Sequence, residues 1–270
     1  MAVMSAREAK NLRIVSYNIL DGGLGRLDPI YETLLYLDAD VVGLVEADDP
    51  AGVAYLARKL RMEHVMAESK NSSHHVALLS RRPIDRMINL TVRLPHMKKA
   101  ALEATITFDD EALRFVVLHL PAHFEDEDAR MREIVPLLDV LDEHAGADGQ
   151  RTVMMGDFNA SAPYHPLNMA ALKPSRRARL ETIGGTPRHD VVNAVLERGY
   201  VDTYQRCHAG LPGVPASVKQ TFTTGYPANR VDYIWVTPDL ADRVAAADVE
   251  TGGFAPYCSD HYPIWTELSR

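Results

Sequence analysis

The sequence predicts an α/β fold built on a two-layer sheet core flanked by helices, and three observations predict it. Short β-branched runs recur along the whole chain, helix-period segments separate several of them, and no repeat or Pro/Gly/Ser-rich linker divides the chain. Over 101–108, Leu102, Ala104, Ile106 and Phe108 alternate with Glu103, Thr105 and Thr107, which predicts antiparallel pairing with one wet face.

The elements follow in order. LRIVSY at 12–17 and VVGLV at 41–45 are strands, and between them Ile30, Leu34, Leu35 and Leu37 fit one helix face. Pro50 behind Asp49 has the pattern of a capped helix start, and GVAYLARKLRM continues with the period of a surface helix. Strands are expected at 76–80, 87–94, 101–108 and 113–120. The next helix carries Ile134, Val135, Leu138 and Leu141 inward, and Pro136 predicts a kink or a restart within it. After a strand at 151–155 comes a Pro-, Gly- and Arg-rich stretch from about 160 to 190, expected as long loops with one short helix. Residues 191–198 are helical in pattern, and VDYIWV at 231–236 and YPIWTEL at 262–268 are the final strands.

Composition removes several classes. In 270 residues, 46% are hydrophobic, with 16 Gly, 16 Pro and 2 Cys, so the chain is no collagen, disordered or disulfide-scaffold protein. No apolar run reaches the roughly 18 residues of a membrane span. MAVMSAREAK lacks the apolar centre of a secretory signal and is expected as a tail over 1–10, with a single domain over 11–270. Cys207 and Cys258 have no metal or redox spacing, so reduced thiols and a cytoplasmic location are expected. The net charge of −8 argues against broad capture of nucleic acid, which depends on Lys and Arg. Nothing in the sequence sets an oligomeric state.

Polar residues collect at the strand ends. Asn18 closes the first strand and Glu46 the second; His119 ends 113–118; Asp157 and Asn159 follow 151–155; Asp260 and His261 precede the last strand; Asp232 lies within 231–236. Each has an ordinary use: Asn18 as a turn former, Glu46 with Asp48 and Asp49 as a helix-capping cluster, His119 as a core histidine, Gly156–Asn159 as a turn. Six segments offering such groups together point to a site.

The ordered segments SYNIL (16–20), VGLVEA (42–47), VLHL (117–120), GDFN (156–159), RVDYIW (230–235) and SDHYP (259–263) resemble the motif set of the endonuclease/exonuclease/phosphatase superfamily of metal-dependent phosphoesterases. The resemblance covers nearly the whole chain. It implies a four-layer α/β/β/α sandwich of two mixed, mainly antiparallel sheets packed face to face, and Mg²⁺- or Mn²⁺-dependent hydrolysis of a phosphate ester. By the same resemblance Glu46 is the main metal ligand with Asn18 and Asp260 beside it. Asp157 orients or deprotonates water, Asn159 anchors phosphate or water, and His261 is the phosphate-side histidine held by Asp232. His119 is similar to the histidine of the branch containing deoxyribonuclease I, neutral sphingomyelinases and several phosphatases, where apurinic endonucleases carry a tyrosine-containing segment.

This chemistry suits the residues. A divalent cation relieves the repulsion between a nucleophile and an anionic ester, and Mg²⁺ prefers the oxygen ligands that Glu46, Asp260 and Asn18 supply. His119 and His261, if cationic, pair with the pentavalent centre, and Asp232 favours protonation of His261. The segment Ala47-Asp48-Asp49 departs from the Thr-Lys of apurinic endonucleases and places two further acids where a polyanion would be repelled. Specificity is expected from loops 71–75, 95–99, 121–124, 161–166 and 221–230, where His74, His75, His123 and His165 are surface or packing residues and Arg230 meets either a substrate phosphate or an acid.

Three functions stay open at this stage. A hydrolase of a small phosphodiester or phosphomonoester accounts for the site and the acidic balance. A nuclease of the same fold needs a basic groove from Lys98, Lys99, Arg176, Arg177 and Arg179. A catalytically silent binding module has no physical need of both carboxylates and both histidines.

Overall fold

In the computed structural model, which describes residues 11–145, 151–209 and 219–270, the β-branched runs form two six-stranded sheets. The expected tail over 1–10 lies outside the described residues. The first sheet holds β1 (Leu12–Asn18), β2 (Val41–Val45), β3 (Glu63–Ala67), β4 (Val76–Ser80), β11 (Val244–Val249) and β12 (Ile264–Leu268), in the order β11-β12-β1-β2-β4-β3. The second holds β5 (Arg86–Asn89), β6 (Ala101–Phe108), β7 (Glu111–His119), β8 (Thr152–Asp157), β9 (Val201–Asp202) and β10 (Asp232–Val236), in the order β5-β6-β7-β8-β10-β9.

Both sheets use one pattern, a parallel central pair between antiparallel neighbours. β1 runs parallel to β2, with β12 and β4 antiparallel outside them. β7 runs parallel to β8, with β6 and β10 antiparallel outside them. The C-terminal ends of each parallel pair therefore share a rim with the start of an antiparallel neighbour. At that rim the register puts His119 opposite Asp157 and Asp157 opposite Asp232, a row of three polar residues across three strands.

Apolar side chains decide the layering. Between the sheets Val41, Leu78, Phe115, Val117, Met155 and Ile264 are buried together. Gly43 allows the close approach there, because a Cβ at that position would stand 2.9 Å from Met155 Sδ. Val15, Val42 and Leu44 face out from the first sheet onto α1 (Leu27–Leu37) and α2 (Pro50–Leu60). Val116, Met154 and Trp235 face out from the second onto α3 (Glu127–Ala145) and α5 (Asp190–Glu197). The result is the expected α/β/β/α sandwich.

Several local expectations change. The second face of β6 is wet only toward its end, with Thr105 half-buried and Thr107 exposed, whereas Glu103 is buried beneath α3, where its Oε2 meets His144 Nδ1 at 2.8 Å and Arg114 Nη1 at 3.9 Å. Helix α3 runs over Pro136 without a break, its following turns anchored by buried Leu137, Leu138 and Leu141. The strand expected over 87–94 ends at Asn89, where the Asn89 side chain accepts from Thr91 N–H and turns the chain. The short helix of the loop-rich stretch is α4 (Pro174–Thr182). β3, β9 and β11 carry too little alternation to be picked out beforehand. Cys207 and Cys258 are free thiols, and among the described residues no helix is long and apolar enough to cross a membrane.

Candidate active site

The first sheet brings three groups to the rim. Glu46 follows β2 in a left-handed turn (φ 55°) that swings its carboxylate back over the end of β1. Asn18 Nδ2 donates to Glu46 Oε1 at 3.1 Å, and the Asp21 N–H donates to Glu46 Oε2 at 3.1 Å. The segment 259–261 is tied to the same strand end, since Ser259 Oγ donates to the Asn18 carbonyl at 2.7 Å and accepts from the His261 N–H at 3.2 Å. Asp48 and Asp49 are occupied elsewhere: Asp48 accepts from the His75 N–H, and Asp49 caps α2 through the Ala51 N–H. The two acids expected to repel a polyanion are thus committed to backbone donors.

The second sheet supplies the rest, with Asp157 at the centre. Asp157 Oδ2 accepts from Asn18 Nδ2 at 3.2 Å, and lies 3.4 Å from His119 Nε2 and 3.8 Å from His261 Nε2. Its Oδ1 accepts from the Asn159 N–H at 2.9 Å, and Asn159 itself takes a left-handed conformation (φ 50°) while Nδ2 donates to the Leu120 carbonyl. Gly156 is required beneath this turn: its φ is 138°, and a Cβ there would stand 2.0 Å from the Leu118 carbonyl oxygen. All eight residues singled out from the sequence therefore converge at one rim.

Electrostatics divides the two histidines. Burial alone would lower His261, but Asp232, whose Oδ2 accepts from Nδ1 at 2.8 Å, and Asp157 raise it to about 10. His119 goes the other way, to about 4, chiefly through burial and then through the charge of Lys99, whose Nζ touches Nε2. Nε2 is thus shared between the Lys99 ammonium and Asp157 Oδ2, 3.4 Å away, while Nδ1 is buried without a hydrogen-bond partner. In place of two cationic histidines the rim has one, His261, together with Lys99, whose pKa burial lowers against the charges of Asp157 and Glu46. Burial opposes ionisation of Asp157, but His261, His119 and Lys99 hold its carboxyl far below the usual range. Asp260 is raised by burial, with Glu46 and Asp157 adding to it against His261, and its Oδ1 is buried with no hydrogen-bond partner.

Two cations that the sequence offered only as members of a candidate basic groove, Lys99 and Arg176, stand at the site. Lys99 enters from the loop before β6; the backbone bond from the His119 N–H to the Ala100 carbonyl (3.0 Å) shows why, since the β6–β7 pairing continues past Ala101 and sets 99–100 beside 119. That register was the available signal. Arg176, on α4, stacks on Phe222 at 4.3 Å, and Phe222 in turn lies 4.6 Å from the His261 ring. The reverse holds for Arg230. It is fully buried, paired with Asp202 and donating Nε–H to His165 Nδ1 at 2.7 Å, so of its two open uses the structure selects the acid partner.

Among the described residues, Asp157, Asp232 and His261 also bring metal-type ligand atoms within 4.8 Å of one another. His261 is a poor member of such a set, because Nδ1 is engaged by Asp232 and the ring holds both protons.

No curated protein sequence matches the chain. Solved structures resemble it closely in fold. A 3′ phosphatase from Neisseria bound to a product DNA hairpin superposes with a TM-score of 0.73 at 18% identity, over 96% of this chain and 100% of that one. An AP endonuclease from Archaeoglobus fulgidus gives 0.69 at 16%, over 96% and 100%. A mannosyl-6-phosphatase from Bacteroides thetaiotaomicron gives 0.67 at 17%, over 95% and 99%. The profile described as "Endonuclease/Exonuclease/phosphatase family" matches residues 15–261, from within β1 to His261 of the rim. With that match spanning both sheets and every strand end that carries a polar residue, the chain belongs to the endonuclease/exonuclease/phosphatase family of phosphate-ester hydrolases.

Proposed function

We propose that the protein is a Mg²⁺- or Mn²⁺-dependent hydrolase of a small phosphomonoester or phosphodiester, in which water attacks in line at phosphorus. The observation that carries this reading is Asp157, an anionic carboxylate held at the rim by Asn18 on one side and flanked by both histidines on the other.

The residues fit a hard cation. Glu46 and Asp260 offer oxygen only, and the unpartnered, buried Oδ1 of Asp260 is the kind of atom that a cation satisfies. Asn18 Oδ1 accepts from the Leu20 N–H at 3.1 Å and retains a second lone pair, so Asn18 supports the site both as a ligand and by aligning Glu46 and Asp157. When bound, the ion supplies charge neutralisation at the phosphate and lowers the pKa of water.

The chain's own groups do the rest. Asp157 accepts a hydrogen bond from the attacking water and sets its line of approach. His261 presents Nε2–H to a non-bridging oxygen as a cation, and Asp232 fixes its orientation and keeps it protonated. Lys99 adds a second positive charge on the His119 side, while His119 holds Lys99 in place. Asn159 fixes the Asp157 turn, and with one amide N–H on the Leu120 carbonyl it keeps a second to offer phosphate or water.

A nuclease activity has less support. Of the basic groove considered from the sequence, Lys99 and Arg176 stand at the rim, but Arg177 binds the Met169 carbonyl and Arg179 is paired with Glu125, so among the described residues no continuous track of free cations leads away from it. The test is hydrolysis of mono- and bis-p-nitrophenyl phosphate, phospholipid vesicles and plasmid DNA, each with Mg²⁺ or Mn²⁺ and with EDTA. Metal-stimulated cleavage of a small ester, abolished by EDTA, is expected. Plasmid cleavage as the dominant activity favours the nuclease, and inertness toward the whole panel revives the silent binding module.

A further inference from the structure

Arg176 is placed in a way that the phosphoesterase reading leaves unused. Its guanidinium is wedged between two aromatic rings, 4.3 Å above Phe222 and 5.4 Å from Phe124, and so is held rigidly although it lies near the surface. Phe222 is fixed in turn. Its N–H donates to the Asn229 carbonyl at 3.0 Å, its carbonyl accepts from Ala228 and Asn229, and its ring packs on His261 at 4.6 Å. His261, Phe222 and Arg176 make a column that leads outward from the phosphate position.

The guanidinium is also electrostatically unspent. Among the described residues no carboxylate lies within 4.0 Å of it, whereas its neighbour Arg179 is paired with Glu125 and Arg188 with Asp128 and Asp190. The charges that it feels most are those of Asp157 and Asp260, the acids of the site itself. A partly desolvated arginine fixed by stacking, with its fork of N–H donors uncommitted, is the arrangement that receives a carboxylate or phosphate bidentately.

We infer that Arg176 is a specificity-determining residue that binds a second anionic group of the substrate, next to the scissile phosphate on the His261 side. The inference rests on the phosphoesterase reading of the same site and narrows it. One aromatic ring separates Arg176 from His261, so it reaches the next charged group of a small molecule rather than the oxygen that His261 touches. Favoured substrates are compact esters with two anionic groups, a bisphosphate or a phosphate ester bearing a carboxylate. A long polyanion would need a track of free cations, and Arg177 and Arg179 on the same helix are engaged with the protein.

The test is a matched pair that differs by one carboxylate, glycerol 3-phosphate and 3-phosphoglycerate, titrated calorimetrically into the full chain with Mn²⁺. Tighter binding of 3-phosphoglycerate by about tenfold is expected for the wild type, the size of one charge-assisted bidentate contact. Arg176→Ala is expected to erase that preference and Arg176→Lys to restore part of it, with melting temperature as the check on folding. Equal affinities in the wild type, or a preference that survives Arg176→Ala, overturn the inference. So does a short single-stranded oligonucleotide that binds more tightly than either ligand and depends on Arg176, which would make the residue a nucleic-acid contact. Calorimetry does not depend on turnover: an inert chain that keeps an Arg176-dependent preference loses the reaction and retains the anion site.

Discussion

At the scale of single residues, the site works by unequal treatment of similar groups. Two imidazoles flank one carboxylate, yet His261 is held protonated by Asp232 while His119 is held neutral by burial and Lys99. Removal of Asp157 or of the cationic histidine should therefore cost more than removal of an ordinary polar contact. Asp157→Asn and His261→Gln are each expected to lower kcat by roughly 10² to 10⁴, as loss of a general base or of a charge stabiliser does. Steady-state rates on the ester found active, with circular dichroism to show retained fold, check this. Lys99→Met should raise the His119 pKa from about 4, because one of its depressing charges is gone, and an NMR titration of the imidazole reads it directly. His165 offers a stability test away from the rim. Burial, with the Arg230 charge, lowers it to about 3. The unfolded chain takes up this proton below about pH 6.5, and the folded chain refuses it until about pH 3, so stability present above the unfolded value is lost as the pH falls. The slope is about 1.4 kcal/mol per pH unit where the difference is one full proton. His165→Gln keeps an acceptor for Arg230 and is expected to flatten that part of a melting-temperature profile between pH 7 and 5.

At the scale of elements, strand ends set the positions and turns set the directions. Strong runs such as VVGLV and VDYIWV were legible because β-branched residues in short stretches have few other uses, and the polar residues that close them were legible with them. What stayed hidden depends on partners distant in sequence. Glu103 looked like a solvent-facing residue because the helix that covers it lies more than twenty residues further on. Lys99 and Arg176 are legible in the sequence only as members of a possible basic groove, and a β-hairpin register and an aromatic stack set them beside the histidines. The Gly156 turn is the sharpest element-level test. Gly156→Ala forces a Cβ into the Leu118 carbonyl at a backbone angle unfavourable to other residues, and it is expected to destabilise the fold by roughly 2 kcal/mol or more, to be measured by urea denaturation. Asp49→Ala, which removes the cap of α2, is expected to cost only about 1 kcal/mol in the same assay.

At the scale of the whole molecule, the site belongs to neither sheet alone. Glu46, Asn18 and the 259–261 segment come from the first sheet, and Asp157, His119 and Asp232 from the second. Several of these acids are crowded and partly buried, so a divalent cation that binds only the folded chain should stabilise it. At about one hundred times its dissociation constant the gain is about 2.7 kcal/mol. A rise in melting temperature with millimolar Mn²⁺ is expected, and Glu46→Gln combined with Asp260→Asn should remove it. Because Asn18 hydrogen-bonds Glu46 of its own sheet and Asp157 of the opposite one, its amide spans the seam between the layers. Turnover then acts as an internal alignment gauge. Mild denaturant that lets one layer slide over the other would extinguish catalysis while buried Trp235 still reports an intact interior, and the gap between those two midpoints measures how firmly the halves of the sandwich are latched.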